Sequence, residues 1–366
     1  MIKRVTLTDQ AADALREGIK SGRWIVELPG EGVLCHELNI SRVTLRRALR
    51  QLTIEHLIHP GGHGKRTQIL APQPVSANYF INGKTVRYLT PIPLQRMSVS
   101  AQMLQSHLQQ HLQAAGYKLV YELHPRIYKR FSSKEMSRLA RLPDTAGWVL
   151  YISTFEIQQW FQAAGIPSVV TGGLHPKIEL ANVAFDLRAS CAHAANLFLT
   201  RGHRYLVLAT PGNMTAGDKD GMEGFLQATR QWKTPVQTSI LNIAENASVF
   251  SRKLDALFLT PKPPTAFLTS WAEHSLTVMG YLQRHGKRVP EDVSIISRFD
   301  DPFLEYCIPT IARYHMDCEQ MGKKTAELLI ELIEHGLGKA RHHMIMPVFV
   351  PGASLGNAPS NFRAKS

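Results

Sequence analysis

The sequence lacks the features that would tie the protein to a membrane, a secretion route or a disulfide framework. Its 366 residues include only four cysteines, and these form no CxxC pair and no zinc-ligand spacing. No apolar run is long enough to cross a bilayer, and the first ten residues lack the apolar core of a signal peptide. We therefore expect a soluble cytoplasmic protein with unpaired thiols, no metal and no membrane partner.

Acidic residues are scarce relative to basic ones. The chain has 29 Asp and Glu against 42 Lys and Arg, a net charge of +13, which favours a polyanionic partner. The excess does not locate that partner, because residues 1–70 carry only +4 of it and the rest of the chain carries +9. The apolar fraction of 44% is typical of a globular protein, and the length is sufficient for two or three domains.

The strongest local pattern begins at Ser41, a residue type that often caps a helix N-terminus. Apolar residues follow it at three- and four-residue spacing, which predicts a helix with one buried face. A helix with arginines on another face suits the DNA major groove, where arginine can bind guanine bidentately. An ordinary amphipathic helix with a solvated charged face would show the same pattern. The predicted exposed residues are Arg42, Thr44, Arg46, Arg47 and Arg50.

The surrounding segments favour the DNA-binding interpretation. A short helix is predicted from about Glu31 to Leu38, and Asn39 can adopt the left-handed conformation of a turn. Strand-like segments at 57–59 and 67–70 flank a basic, glycine-rich tip, where glycine allows close backbone approach. Helix, turn, arginine helix and basic hairpin in this order predict a winged helix-turn-helix that binds double-stranded DNA.

Residues 1–70 resemble the DNA-binding domain of GntR-family transcription regulators. The resemblance lies in Leu28-Pro29-x-Glu31, in the segment from Ser41 to Arg46, and in the wing pair His63-Gly64. Gly32 stands where the family commonly has an arginine, so one usual contact is absent. The resemblance implies DNA contacts by Ser41, Arg42, Thr44, Arg46, His63 and Gly64, to which the neighbouring cations Arg47 and Lys65 are added.

The pattern changes after a Pro- and Asn-Gly-containing stretch at 71–85, which we interpret as a linker. From residue 86 onward short apolar strands alternate with helices, which predicts an α/β fold with parallel sheets covered by helices. Ligands in such folds lie beyond the carboxyl ends of the strands. The predicted organisation is a winged helix-turn-helix at 1–70, the linker, a larger domain at 86–356 and a tail at 357–366.

Residues 86–356 resemble the effector-binding domain of the LacI/GalR family, which is related to periplasmic sugar-binding proteins. The most specific matches are Arg201-Gly-His203 and the segment from Val289 to Ser294. The resemblance implies a homodimer whose subunits have two similar α/β lobes, at about 86–200 and 201–300. It also implies crossover segments after residue 300 and a small ligand between the lobes.

The same resemblance suggests which loops hold the ligand. Asp300 stands where an aspartate commonly bonds ligand hydroxyls, and its alternative role is a helix cap or turn residue. Trp271 replaces a common asparagine and either stacks on a ligand or belongs to the core. Gly221 replaces a common arginine and Gly172 a frequent polar residue, so three usual contacts have changed. Nearby loop residues complete the predicted effector set: Asp218, Asp220, Glu273 and Phe303.

Two patterns raise the alternative of an enzyme or a metal site. Gly352-Ala-Ser354-Leu-Gly356 fits the GxSxG nucleophile elbow, but no histidine follows it, so we expect Ser354 to lie at a strand end. His342 and His343 would point to opposite faces of a strand and are expected in a solvated loop. We predict no catalytic residue and no cofactor.

The sequence therefore predicts a ligand-responsive transcription regulator, most simply a repressor that a sugar or sugar derivative releases from a palindromic operator. The alternatives are a cytoplasmic carbohydrate-binding protein and a hydrolase, each with an incidental basic N-terminal module. A transport-type solute-binding protein is disfavoured by the missing signal peptide and by that N-terminal module.

Overall fold

The computed structural model describes residues 6–20, 23–24, 27–55, 57–61, 66–69, 83–243, 246–336, 338 and 340–360. The N-terminal region contains α1 (Leu7–Lys20), α2 (Glu31–Leu38), α3 (Arg42–Ile54), β1 (Ile58–His59) and β2 (Gln68–Ile69). The two strands pair antiparallel, with Ile58 opposite Ile69. The predicted order of short helix, arginine helix and hairpin is confirmed.

This region has a core of its own. Leu15 of α1, Leu34 of α2 and Ile58 of β1 are almost fully buried in it. Leu45 and Leu52 are seven residues apart on α3, about two helical turns, so both point into this core. The opposite face of α3 is left to solvent.

The larger region begins with β3 (Thr85–Thr90), α4 (Val99–Ala114), β4 (Lys118–Leu123), α5 (Pro125–Lys129), α6 (Ser133–Ala140) and β5 (Thr145–Tyr151). It continues with α7 (Phe155–Ala164), β6 (Ser168–Thr171), β7 (Ala181–Phe185), α8 (Leu187–Thr200), β8 (Tyr205–Pro211), α9 (Ala216–Arg230) and β9 (Gln237–Ile243). It ends with α10 (Ala247–Phe258), β10 (Ala266–Thr269), α11 (Ala272–Arg284), β11 (Ser294–Ser297), β12 (Ala312–His315), α12 (Cys318–His335), β13 (His342–Ile345) and β14 (Val348–Val350). Two 3₁₀ helices lie at Leu94–Arg96 and Pro302–Tyr306.

These elements form two lobes, each around a six-stranded sheet. The first sheet has the order β13-β7-β6-β5-β3-β4 and is parallel throughout. The second has the order β14-β12-β11-β10-β8-β9, in which only β14 runs antiparallel to its neighbour. Strands β6 and β10 are buried at every residue, as expected for parallel strands covered on both faces.

The chain passes between the lobes after β7, after β12 and between β13 and β14. Helix α8, which the sequence placed in the first lobe, packs against α9 and β10 of the second. Strands β12 and β14 also belong to the second lobe, although they follow residue 300. His342 and His343 lie in edge strand β13, so the prediction of a loop there is wrong.

The structure also bears on the expectations for the cysteines, the linker and membrane-spanning helices. All four cysteines are free. Of the proposed linker, residues 71–82 lie outside the described residues, and β3 already begins at Thr85. No helix in the described part of the chain combines the length and the apolar character that a membrane crossing needs.

Candidate functional site

The first candidate site is the exposed face of α3. Ser41 caps the helix as predicted, since its Oγ accepts from the Thr44 backbone N–H at 3.2 Å. The Thr44 hydroxyl lies 2.9 Å from the same Oγ, so both side chains help to fix the helix start. Arg42, Arg46 and Arg47 are exposed along the helix. The helix therefore presents several guanidinium groups from a rigidly capped frame.

The arginines of this region differ in whether they have an internal partner. Arg46 donates to both carboxylate oxygens of Glu31, at 3.1 and 3.0 Å, and this bonding raises its pKa. Among the residues that the structure describes, Arg42, Arg47 and Arg50 have no carboxylate partner. The unpaired positive charge of α3 thus lies on these three arginines. Three further arginines of the region are also paired, in Arg16–Glu55, Arg23–Glu37 and Arg66–Glu27.

Strands β1 and β2 form the base of the predicted wing. The predicted contacts His63, Gly64 and Lys65 lie outside the described residues. Gly32, which replaces a common family arginine, is exposed, and a Cβ placed on it would meet no atom within 4 Å. An arginine side chain would therefore fit at this position, so no steric requirement explains why the chain has glycine here.

The second candidate site is a cavity of about 310 Å³ between the lobes. Its lining comes from residues at or just beyond the carboxyl ends of strands in both sheets, such as Tyr151 and Phe185 in the first and Thr215 and Phe299 in the second. This is where ligands bind in open α/β sheets. The volume lies at the lower end of the range for small-molecule pockets, about 300–1,000 Å³.

The lobes touch each other beside this cavity. A Cβ placed on Gly173, which follows β6, would lie 2.6 Å from the Gly217 backbone nitrogen in α9 and 3.0 Å from its Cα. The two backbones can approach this closely only because Gly173 has no side chain. In a second contact between the lobes, the Ser100 Oγ of α4 donates a hydrogen bond to the Asp300 carbonyl at 2.9 Å. The structure therefore shows the lobes closed on one another.

Asp300 lines the cavity, but its carboxylate already has partners. One oxygen accepts from the Arg313 Nε at 2.5 Å, and the other lies 2.9 Å from His315 Nδ1. A carboxylate offers about four lone-pair sites, so capacity for ligand hydroxyls remains. The alternative role as a cap belongs to its neighbour Asp301, which accepts from the Phe303 N–H at the start of a 3₁₀ helix.

Asp218 is buried beside the cavity and has a structural task. Its carboxylate accepts from the Thr215 backbone N–H and hydroxyl in a capping box at the start of α9. Its other oxygen pairs with Arg298, whose side chain is 1% exposed. A Cβ on Gly221 would lie 3.2 Å from the Arg298 Nη1, so Gly221 leaves room for this guanidinium. Arg298 was not among the predicted site residues, because no local sequence pattern marks a buried arginine after a strand.

The remaining predicted effector residues divide into two groups. Trp271 is 42% exposed and lines the cavity with Glu273, so its alternative assignment to the core is wrong. Its ring stacks on His274 at 5.3 Å between centroids, and burial lowers the pKa of His274 to about 4. Asp220 and Phe303 do not line the cavity, which corrects their prediction. Asp220 is exposed 3.7 Å from Arg188, and Phe303 packs on the core of the second lobe.

The first-lobe wall of the cavity contains residues that were not among the predicted effector contacts. Tyr151 and Phe185 end predicted strands, so the rule that ligands bind at the carboxyl ends of strands points to them. Burial raises the pKa of Tyr151 to about 12, which keeps its phenol neutral. Met97 and Leu104 come from α4 and its start, far along the chain from any strand end, and no sequence signal marks them.

Both regions match known families. Residues 7–62 match the family described as bacterial regulatory proteins, gntR family. Residues 195–355 match the periplasmic binding protein-like domain. The chain joins a gntR-family helix-turn-helix domain to a periplasmic-binding-protein-like domain.

The chain is also similar to several transcriptional repressors. The chain is 27% identical over 186 residues to the HTH-type transcriptional repressor PurR of Vibrio cholerae, covering 50% of this chain and 54% of that protein. It is 26% identical over 172 residues to the HTH-type transcriptional repressor CytR of Escherichia coli K12, covering 46% and 50%. It thus spans about half the length of these relatives. A longer match, 23% identical over 335 residues, covers 84% of the chain and 85% of the arabinose metabolism transcriptional repressor of Geobacillus stearothermophilus.

Solved structures share the fold of the periplasmic-binding-protein-like domain. A LacI-family regulatory protein from Chloroflexus aggregans matches with a TM-score of 0.65 at 22% identity, covering 74% of this chain and 98% of that one. A LacI-family regulator from Enterococcus faecalis, solved with bound ribose, matches with a TM-score of 0.63 at 19% identity, covering 75% and 99%. At these identities the matches establish the two-lobed fold alone.

The pattern that resembled a nucleophile elbow has a structural role in the periplasmic-binding-protein-like domain. Ser354 is fully buried, its Oγ donates to the Ile295 carbonyl at 2.6 Å, and it accepts from the Ala312 N–H at 2.9 Å. It therefore joins the segment after β14 to β11 and β12, and it lies in a turn beyond Val350, not at the strand end that was predicted. His342 lies 2.7 Å from the Asn182 Oδ1, and no group of metal-ligating side chains occurs in the described ranges.

Proposed function

We propose that this protein is a transcription regulator, in its simplest form a repressor, whose affinity for DNA changes when a small molecule binds between the lobes. The observation that carries the proposal is the free arginine face of α3, present in the same chain as a cavity between two lobes. The repressors named above support it, since one of them matches 84% of the chain. A DNA-bound regulator works where the DNA is, which assigns it to the cytoplasm.

The proposed division of labour follows the two regions. Residues 1–70 would hold one operator half-site, 71–85 would serve as the linker, and 86–356 would bind the effector and the second subunit, leaving a tail at 357–366. Because two identical subunits related by a twofold axis present identical reading helices, the operator would be palindromic. Arg42, Arg47 and Arg50 are free to contact DNA. Arg46 can contact DNA only if its ion pair with Glu31 breaks or if Glu31 moves together with it.

The proposed effector is a sugar or sugar derivative. Asp300 retains acceptor capacity for hydroxyls, and Trp271 exposes a ring on which a sugar face can stack. A ligand that contacts both lobes favours their closed arrangement, and the lobe arrangement in turn sets the separation of the reading helices. The Gly173–Gly217 contact identifies the closed arrangement.

The DNA half of the proposal is tested by selecting binding sites from random DNA with the purified full chain. We expect a palindromic site protected from DNase. Arg42→Ala should then weaken specific binding by roughly 5- to 150-fold if the residue reads a base. Arg252→Ala, which removes an exposed arginine of the second lobe, is the matched control and should leave affinity unchanged. Unchanged affinity in Arg42→Ala and Arg46→Ala together would show that α3 is not the reading helix.

The effector half is tested by thermal shift and by DNA binding across a panel of carbohydrates. We expect at least one of them to raise the unfolding temperature and to change the affinity for the selected site. If carbohydrates change neither quantity while the DNA site is bound, the effector belongs to another chemical class and the regulator assignment stands.

A further inference from the structure

We infer that the effector is amphiphilic: a sugar derivative that carries a large apolar substituent, such as an aryl or alkyl glycoside. The inference rests on the proposed function and concerns the ligand class of that same cleft. The observation behind it is an asymmetry between the two walls of the cavity. The wall from the first lobe is chiefly apolar, and the charged groups come almost entirely from the second.

The apolar wall is large for a cavity of about 310 Å³. It is built by side chains from three strand ends, from α4 and its start, and from the second crossover. Four of its members are thioether or phenyl groups, which accommodate flat or irregular apolar ligands well. Its main members are Met97, Leu104, Tyr151, Phe185, Met316 and Met321.

The polar groups of the lining are already bonded to a large extent. Asp218 accepts from Thr215 and pairs with Arg298, and Asp300 accepts a bond at each of its oxygens. On the first lobe, the Ser100 hydroxyl donates to Asp300 and the Thr171 hydroxyl to the Leu150 carbonyl at 3.4 Å. Few acceptors are therefore left for a ligand.

Two charged groups remain free. Among the described residues, the side chains of Glu273 and Arg96 have no bonding partner, and both are exposed at the rim of the cavity. Glu273 and the spare lone pairs of Asp300 mark a compact polar end on the second-lobe side, whereas Arg96 belongs to the first-lobe segment before α4. A free monosaccharide exposes hydroxyls all round its ring, so one face would lie unbonded against the apolar wall, which costs free energy.

A glycoside has a polar part and an apolar part that match the chemistry of the two walls. Its sugar hydroxyls would bond to Asp300 and Glu273, with the ring beside Trp271, and its aglycone would displace water from the wall formed by Leu104 and Phe185. The gain from removing apolar surface from water favours the glycoside over the parent sugar, in proportion to the area that the aglycone buries.

The test is calorimetric titration of the full chain with matched pairs of glycosides. Methyl and phenyl glycosides of ribose, arabinose, glucose and galactose are compared with the free sugars and with phenol. We expect one phenyl glycoside to bind at least about tenfold more tightly than both its methyl counterpart and its free sugar. Equal binding of the methyl and phenyl members, phenol binding as tightly as the best glycoside, or no binding across the panel would each overturn the inference.

Variants assign the gain to the apolar wall. Val170→Thr adds a hydroxyl to the wall at nearly constant volume and should weaken the phenyl glycoside more than its methyl counterpart. The matched control is Val169→Thr, whose side chain points to the other face of β6 and does not line the cavity. Glu273→Gln should weaken both glycosides equally. Binding of the selected DNA site is measured in parallel. Loss of DNA binding would refute the proposed regulator function, whereas normal DNA binding without a preference for the phenyl glycoside would refute the ligand class alone.

Discussion

Replacing Gly173 by alanine places a methyl group where the backbone of the opposite lobe already lies. The added Cβ would be 2.6 Å from the Gly217 nitrogen and 3.1 Å from the Ala216 carbonyl carbon. Both are backbone atoms in the first turn of α9, which Asp218 fixes through its capping box. They cannot turn aside as the end of a flexible side chain could. The substitution therefore opposes lobe closure specifically.

The size of the effect follows from the overlap. Ordinary contact begins at 3.4 Å, so the two backbones must separate by about 0.8 Å at this point. Insertion of a methyl group into a well-packed contact costs about 1–3 kcal/mol. Because the overlap exists only in the closed arrangement, the ratio of closed to open molecules should fall by roughly 5- to 150-fold. Affinity for any ligand that requires closure should fall by a similar factor.

The assay measures lobe separation directly. Fluorescent labels are attached at Lys177, between β6 and β7 of the first lobe, and at Lys219 in α9 of the second, and energy transfer between them reports closure. We expect lower transfer in Gly173→Ala. Gly217→Ala should have a smaller effect, since its Cβ would meet the Leu187 side chain at 3.3 Å and the Gly173 nitrogen only at 3.8 Å.

The control is Gly280→Ala in α11, where an added Cβ meets nothing within 4 Å. It should leave energy transfer unchanged and stabilise the helix slightly. If Gly173→Ala shows the same transfer as Gly280→Ala while both remain folded, the glycine contact does not limit closure. The proposed coupling between the cleft and the reading helices would then need another structural basis.

Three further predictions concern charges that the structure shows to be paired or buried. Glu31→Gln frees Arg46, so in a fluorescence-anisotropy titration it should raise affinity for the selected DNA by up to about fivefold; lower affinity would mean that Glu31 positions the arginine. Asp218→Asn keeps the cap oxygen but leaves the Arg298 charge without a partner, which should cost about 3–5 kcal/mol in a denaturant titration; an unchanged free energy of unfolding would show that this ion pair does not stabilise the fold. The pKa values of His203 and His274 are lowered from 6.5 to about 4, largely by burial, so the unfolded chain binds more protons than the folded one between these two pH values. The stabilisation from each neutral histidine should be fully present above pH 6.5 and should decrease by roughly 3 kcal/mol as the pH falls towards 4. In His203→Gln the melting temperature should therefore depend less on pH over this range, and an unaltered pH dependence would contradict the assignment.

The parts of the fold that the sequence predicted are those governed by local periodicity. The apolar spacing in α3 and the cap at Ser41 appear in the structure where they were predicted. The alternation of strands and helices likewise led to two parallel-type sheets. The assignment of α8 failed because its sequence position between β7 and β8 does not show on which sheet it packs. That choice depends on tertiary contacts with α9.

The candidate sites were harder to predict for the same reason. Arg42 and Arg46 look alike in sequence, and only the fold brings Glu31 to one of them. Asp218 and Asp220 are two residues apart in one loop-to-helix segment, yet one is buried against Arg298 and the other is exposed. Helical geometry separates them by about 200° around the axis, so proximity in sequence did not imply a shared site.

The glycines of the cleft connect these observations. Gly221, at a position where the related family commonly has an arginine, leaves room for the internal Arg298, and Gly173 lets the opposite lobe approach its backbone. The resemblance to the LacI/GalR family implies a ligand-binding arginine at the first of these positions, and here the space is used by a contact within the protein. The contacts that join the two lobes without a ligand are the Gly173–Gly217 approach and the Ser100–Asp300 hydrogen bond. A ligand that bonds to the compact polar end and covers the apolar wall adds to these contacts, and it shifts the population towards the closed arrangement by the difference between its affinities for the two arrangements.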